Sequence, residues 1–226
     1  MNAALIIPAL NEEQSIGRVL DEIPAGLYLT VFVVDNGSSD RTAAVAEAHG
    51  ARVLVEPRRG YGNACLRAMA ELSPQTEIVV FMDGDGGDIA GEAGVLIDPI
   101  ARGEADFVLG SRELGLAEPG ALSPHQRFGN RLITSLIRLF HGHRYTDLGP
   151  FRAIRASSLA SLGMQDPNYG WTAEMQIKAV KKGLRIVEVP VSYRRRRQGA
   201  SKVSGSIRGS VAAGVKILWT VAKLRF

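Results

Sequence analysis

Short apolar runs alternate with helix-periodic stretches along the first half of this chain. Ala3–Pro8, Thr30–Asp35, Arg52–Val55, Ile78–Asp83 and Phe107–Gly110 are nearly continuous apolar segments, the pattern of strands buried on both faces. Between them, Glu12–Ile23, Asp40–His49, Tyr61–Leu72 and Glu92–Arg102 carry apolar residues at helical spacing. Asn11 is the expected N-cap of the first helix, and a hydroxyl or carboxylate within Ser38–Thr42 is expected to cap the second. The alternation predicts an α/β fold, a doubly wound, mostly parallel sheet with helices on both faces. Ligands of such sheets bind beyond the C-terminal strand ends, so chemistry is expected just after each strand.

The second half is less regular. It predicts helices over His125–Phe140 and Trp171–Lys182, strands at Phe151–Ile154 and Arg185–Val189, and a mobile loop from Arg194 to Gly205. A last helix is expected over Ser206–Phe226, with Ile207, Val211, Val215, Leu218 and Ala222 on one face and Lys216 and Lys223 elsewhere, near Trp219. That helix either lies at a membrane interface or docks on the domain. Charges at Arg208, Lys216 and Lys223 break its apolar runs short of the ~18 residues a membrane span requires. The chain reads as one domain, residues 1–205, followed by a basic helix at 206–226.

Composition sharpens this division. A hydrophobic content of 46% with 22% charged residues is that of a globular protein. Residues 1–177 carry 14 Lys and Arg against 22 Asp and Glu, whereas residues 178–226 carry 13 against one acid, Glu188. The basic end asks for an anionic partner: phosphate, nucleic acid or a membrane surface. A single cysteine, Cys65, excludes an intrachain disulfide and fits a reducing, cytoplasmic setting. The N-terminus has no basic region or cleavage site of a signal peptide, and the four histidines show no metal-ligand spacing.

Polar residues gather where the fold predicts chemistry, at Pro8–Glu13, Asp35–Asp40 and Asp83–Asp88. Asp83 and Asp85, one residue apart on a glycine-rich turn after a buried strand, can direct oxygens at one hard cation, Mg2+ or Mn2+. Asp35 can accept hydrogen bonds from a base or ribose, or serve as a turn residue. The run Arg58–Ala64 is neither a dinucleotide fingerprint nor a Walker loop, but Gly60 at a helix start would let a diphosphate or ribose approach. Glu174, among apolar and aromatic neighbours, is a candidate general base or acceptor-positioning group, or else a helix-surface glutamate. Arg194–Arg197 with Gly199, Ser201 and Lys202 could close over a diphosphate and stabilise a leaving group.

Taken in order, these segments resemble the family 2 glycosyltransferases with the GT-A fold, most closely the dolichyl- or polyprenyl-phosphate sugar transferase branch. The resemblance runs through Ile6–Glu13, Val33–Thr42, Asp83–Asp85, Gly110–Arg112, Asp147–Arg152 and Val189–Lys202. It implies that Pro8, Asn11, Glu12 and Asp35 meet the nucleotide, that Asp83 and Asp85 bind metal, and that Arg112 and Arg127 face the diphosphate or an acceptor phosphate. It also assigns Arg196 and Lys202 to a loop over the donor. The implied activity is inverting transfer of a hexose from UDP-glucose or GDP-mannose, most simply to polyprenyl phosphate at the cytoplasmic membrane face. A soluble phosphorylated acid or a glycan hydroxyl is the alternative acceptor, with Glu174 then the base. Gly87 departs from the branch, which often carries a metal-holding glutamine there, so Asp88 or water is expected to substitute. The chain also lacks the membrane helices of many relatives, which makes any membrane contact peripheral. Self-association is left open. A nucleotidyltransferase would need a lysine-bearing glycine loop after the first strand, and a nucleic-acid-binding module would leave the Asp83–Asp88 acids unexplained.

Overall fold

The computed structural model describes residues 2–196 and 207–225. Seven strands form one sheet: β1 Ala3–Ala9, β2 Tyr28–Asp35, β3 Arg52–Val55, β4 Ile78–Phe81, β5 Phe107–Ser111, β6 Arg152–Arg155 and β7 Ile186–Pro190, in the order β3-β2-β1-β4-β6-β5-β7. Only β6 runs against its neighbours, β4 and β5; the other pairings are parallel. Because side chains alternate along a strand, β1 feeds two cores: Ala4 and Ile6 point to one face, Ala3, Leu5 and Ile7 to the other. Helices α1 (Ile16–Asp21), α2 (Thr42–Ala48) and α4 (Ala93–Ala101) supply residues to the second face. The first is covered by α3 (Tyr61–Met69), α5 (Pro124–His141), α6 (Ala156–Leu162), α7 (Trp171–Lys181) and α8 (Ile207–Lys223).

The expected elements stand, with local corrections. The first helix begins at Ile16 rather than Glu12, because Asn11 adopts a left-handed φ of 52° and the Glu12 carbonyl closes a turn onto Ser15 and Ile16. The N-cap position falls to Ser15 rather than Asn11, whose Oδ1 accepts from the Ser39 amide at 2.8 Å and ties the β1 loop to the β2 loop. Asp40 does act at the second helix, its carboxylate accepting from the Thr42 amide and hydroxyl. α6 was not anticipated. α5 starts at a full capping box between Ser123 and Gln126 and ends at Gly142, whose φ of 74° is left-handed.

The arginine run is not loose where it is described. The Arg194 amide donates to the Gly87 carbonyl and its guanidinium pairs with Glu22, while the Arg195 amide donates to Glu118. Arg197, Gly199, Ser201 and Lys202 lie outside the described residues. α8 packs on α5 and α7, burying Ala213, Thr220 and Val221. The helix thus docks on the domain through one side, while Val215 and Leu218 of the expected apolar face, and Trp219, stay exposed, and no helix among the described residues is long and apolar enough to cross a membrane.

Candidate active site

Register brings three strand ends level: Ala9 pairs with Asp35, and Ile6 with Phe81. The loops leaving β1, β2 and β4 thus border one cleft of about 360 Å3. Of the residues expected from sequence, Pro8, Glu12, Gly60, Asp83, Asp85 and Arg196 line it. Asn36, Arg59, Tyr61, Asn168 and Tyr169 complete the wall.

The floor is acidic. Burial first, and the Asp85 charge second, push the Asp83 carboxyl up to about 7, against the pull of Arg112. Asp85 accepts from the Gly87 amide at 2.9 Å through Oδ1, and its Oδ2 lies 3.5 Å from Arg196 Nη1. The same guanidinium is ion-paired with Glu12, so one cation bridges two acids across the cleft. Two oxygen donors that resist joint ionisation suit a hard divalent cation. Among the described residues no cluster of three or more His, Cys, Asp or Glu side chains could hold a metal. Asp83 and Asp85 would therefore hold Mg2+ or Mn2+ jointly with phosphate oxygens of a ligand.

Gly87 has a steric explanation. A Cβ there would meet the Tyr193 ring at 2.7 Å, so a glutamine would have to displace that ring. Asp88 does not substitute: it is 2% exposed, does not line the cleft, and accepts from the Asp83 amide at 3.3 Å. Burial first, then the neighbouring acids Asp83 and Asp85, push its carboxyl well up behind the turn.

Asn36 was missed by sequence reasoning and organises one wall. Its Nδ2 donates to the Glu56 and Arg58 carbonyls at 2.9 and 2.8 Å, and its Oδ1 accepts from the Gly60 amide at 2.7 Å. Gly60 has a φ of 136°, and a Cβ on it would lie 2.2 Å from the Pro167 carbonyl oxygen. That close approach carries Asn168 and Tyr169 to the cleft. Asp35 itself accepts from the Ser38 amide at 3.0 Å, and its neighbour Asn36, not Asp35, lines the cleft.

Glu174 lines neither this cleft nor the second. Its buried carboxylate accepts from the Gln165 and Asp166 amides, at 2.7 Å for the latter, and pairs with Lys178 at 2.7 Å. It anchors the segment leading to Asn168 and Tyr169, and every oxygen is engaged, which corrects its expected role as a base.

Arg112 and Arg127 belong to a second cleft of about 230 Å3 between α5 and α8, lined also by Leu122, Ile133, Leu148 and Ile217. Arg112 forms a two-point ion pair with Asp147, both distances 2.8 Å, with its amide on the same carboxylate at 2.9 Å. Burial alone would raise the Asp147 pKa; the Arg112 charge and hydrogen bonds outweigh it and hold the carboxyl below its usual range. Arg112 also stacks over the Tyr193 ring at 5.0 Å, so Tyr193 stands between the Asp85–Asp88 turn and the second cleft. Arg127 is half-exposed, 3.6 Å from Glu113.

Comparison with known proteins accords with this geometry. The model of the family described as glycosyl transferase family 2 matches residues 4–163. An uncharacterized glycosyltransferase of Mycobacterium tuberculosis is 41% identical over 211 residues, covering 92% of this chain and 93% of its own length. An undecaprenyl-phosphate mannosyltransferase of Micrococcus luteus is 30% identical, covering 95% of this chain and 93% of its own. Among solved structures, glucosyl-3-phosphoglycerate synthase of M. tuberculosis, in complex with Mn2+, UDP-glucose and phosphoglyceric acid, superposes with a TM-score of 0.80 at 26% identity, covering 99% of this chain and 79% of that one. That enzyme carries its metal and nucleotide sugar on the same overall fold. The sheet order, the strand-end cleft and the family match together make this chain a member of glycosyl transferase family 2, with the GT-A fold.

Proposed function

We propose that the protein is an inverting, divalent-metal-dependent hexosyltransferase that moves a sugar from UDP-glucose or GDP-mannose to a phosphorylated acceptor, with polyprenyl phosphate favoured. One observation carries this reading: an acidic cleft at the strand ends and an apolar cleft flanked by Arg112 and Arg127 lie on either side of Tyr193, whose ring meets both the Gly87 turn and Arg112. The first suits a nucleoside diphosphate with its cation, the second a phosphate attached to a hydrocarbon.

In this reading Pro8, Asn36 and the Gly60 backbone bound the nucleoside end, with Asp35 behind them holding the Ser38 turn. Asp83 and Asp85 would hold Mg2+ or Mn2+ together with the diphosphate. When bound, the cation neutralises charge that builds on the departing nucleotide. Arg196 turns from Glu12 and Asp85 to the diphosphate oxygens, joined by Lys202. An acceptor oxygen attacks the anomeric carbon opposite the diphosphate; the new C–O bond forms as the bond to the diphosphate breaks, inverting the centre.

The engagement of Glu174 supports an acceptor that is already an anion. A phosphate oxygen needs no base, whereas a hydroxyl does. The M. luteus relative is named for a lipid-phosphate acceptor, whereas the phosphoglyceric acid in the M. tuberculosis structure offers a hydroxyl beside its phosphate. The apolar lining of the second cleft favours the lipid. Purified protein with Mn2+ and each radiolabelled nucleotide sugar is to be offered polyprenyl phosphate in detergent or, separately, phosphoglyceric acid. Label extracted into organic solvent is expected. Label confined to a soluble product would replace the acceptor, and intact donor in both mixtures would end the reading.

A further inference from the structure

α5 is apolar on two sides. Ile133, Thr134 and Ile137 are buried on its inner side. On the opposite side Phe128, Leu132 and Leu139 follow one another at helical spacing, 70%, 38% and 73% exposed. Scattered exposed leucines are ordinary, but a stripe along the solvent side of a helix calls for a partner. Arg131 and Arg138 flank the stripe and, with Arg144 and one acid, Glu113, whose partner is Arg127, line a separate depression of about 300 Å3. Among the described residues Arg131, Arg138 and Arg144 make no ion pair. α5 contains no Asp or Glu in its whole length.

α8, packed beside it, repeats the pattern. Val215, Leu218 and Trp219 are exposed, the Lys216 and Lys223 ammonium groups lie 4.8 and 5.2 Å from the Trp219 ring, and this helix too has no acid.

We propose that the outer faces of α5 and α8 dock the protein on a bilayer containing anionic lipid. Phe128, Leu132 and Leu139 enter the boundary between headgroups and acyl chains, while Arg131, Arg138 and Arg144 take lipid phosphates. Charge decides the occupant. A second copy in a two-fold contact would set the same unpaired arginines against each other, whereas an anionic surface pairs them. The inference outlasts any failure of the acceptor reading, since vesicle binding needs neither donor nor metal. If both hold, the second cleft, which opens between these two helices, receives its lipid acceptor from the docked surface.

The test is cosedimentation of the full chain with vesicles of phosphatidylglycerol and phosphatidylcholine in equal parts, or of phosphatidylcholine alone, with sedimentation equilibrium of the lipid-free protein alongside. The wild type is expected to partition onto the anionic vesicles at least tenfold better. The triple variant R131Q/R138Q/R144Q should lose about a hundredfold of that binding, at roughly a tenfold or less per basic side chain, and F128E/L139E should lose it outright. Melting temperatures with UDP and Mn2+ serve as the folding control, and because all five positions are exposed both variants should match the wild type. Equal binding to the two vesicle types, or wild-type binding by either variant, would overturn the proposal. So would a lipid-free dimer that F128E/L139E dissolves, which would assign the stripe to a second copy.

Discussion

In the strand-end cleft, Glu12 and Asp85 share a single guanidinium, that of Arg196, and Asp83 is pushed up to about 7 by burial and by Asp85. In the second cleft, Arg112 and Asp147 close on each other at two points, side chains 14% and 1% exposed, and pairing holds Asp147 below its usual range. Both regions bury carboxylates beside arginine, yet one has acid in excess and the other is balanced. In the proposed function the excess is where a cation and a diphosphate would bind; the balanced pair holds the 147–150 segment against β5 at the edge of the second cleft. Replacing one side chain in each region separates these two meanings.

The largest effect is expected for Asp85→Asn, which removes charge from the unbalanced cleft without changing shape. Transfer should fall by about a thousandfold or more, the scale of losing a principal electrostatic contact to the leaving group. Stability should hardly change, because Asp85 retains its contact with the Gly87 amide. Activity in steady-state assays with saturating Mn2+ that stayed within tenfold of wild type would remove the metal role.

Asp147→Asn reverses the pattern. Arg112 would be left buried without its counter-charge, which costs about 3 kcal/mol, or ~6–12 °C in melting temperature for a chain of this size. The sign with pH follows from the lowered pKa. The pair's contribution is complete above the unfolded carboxyl value of ~3.9 and is lost as pH falls through the folded value. Urea titrations should therefore show the gap between wild type and variant at neutral pH and its closing in acid. A gap independent of pH would mean that Asp147 acts by packing rather than by charge.

Asp83→Asn tests the excess directly. A carboxyl raised to about 7 binds its proton more tightly in the folded state, so stability is full below the unfolded value and falls as pH rises toward 7. The asparagine variant escapes that loss. Without metal it should melt a few degrees above wild type near pH 8, at ~2–4 °C per kcal/mol, and equal it near pH 4. Added Mn2+ with UDP should stabilise wild type and leave the variant unmoved. A variant less stable than wild type at every pH would show that Asp83 is scaffold after all.

The same contrast accounts for what could be read from sequence. Ile78–Phe81 and its companions were legible because strands buried on both faces are written as continuous apolar runs, and the acids at their ends stand out against them. Local pattern could not reveal Asn36, whose bonds reach Glu56, Arg58 and Gly60, twenty or more residues away in chain and meaningful only once β2 and β3 pair. Asn168 and Tyr169 reach the cleft by a backbone approach at Gly60 and Gly62, which a glycine permits but does not announce. Glu174 misled for the same reason. An acid among aromatic residues resembles a catalytic group until the two amides that fill its oxygens are seen. Asn11 resembled a helix cap, and its actual partner, Ser39, comes from the neighbouring loop.

The smallest effect tests whether the two clefts are independent. Ser123 and Gln126 exchange hydrogen bonds at the start of α5, and the residues they fix, His125 to Arg127, line only the second cleft. Ser123→Ala leaves one amide of the first turn without its acceptor, a loss of about 1 kcal/mol that should lower the melting temperature by ~2–4 °C. Fraying of that turn moves Arg127 but reaches neither β1, β2 nor the turn after β4. The KM for the acceptor should therefore rise severalfold while the KM for the nucleotide sugar and its metal dependence stay put. If the donor KM rose in step, Tyr193, which touches both the Gly87 turn and Arg112, would be transmitting the disturbance. The strand-end and helix-borne clefts would then have to be treated as one coupled site.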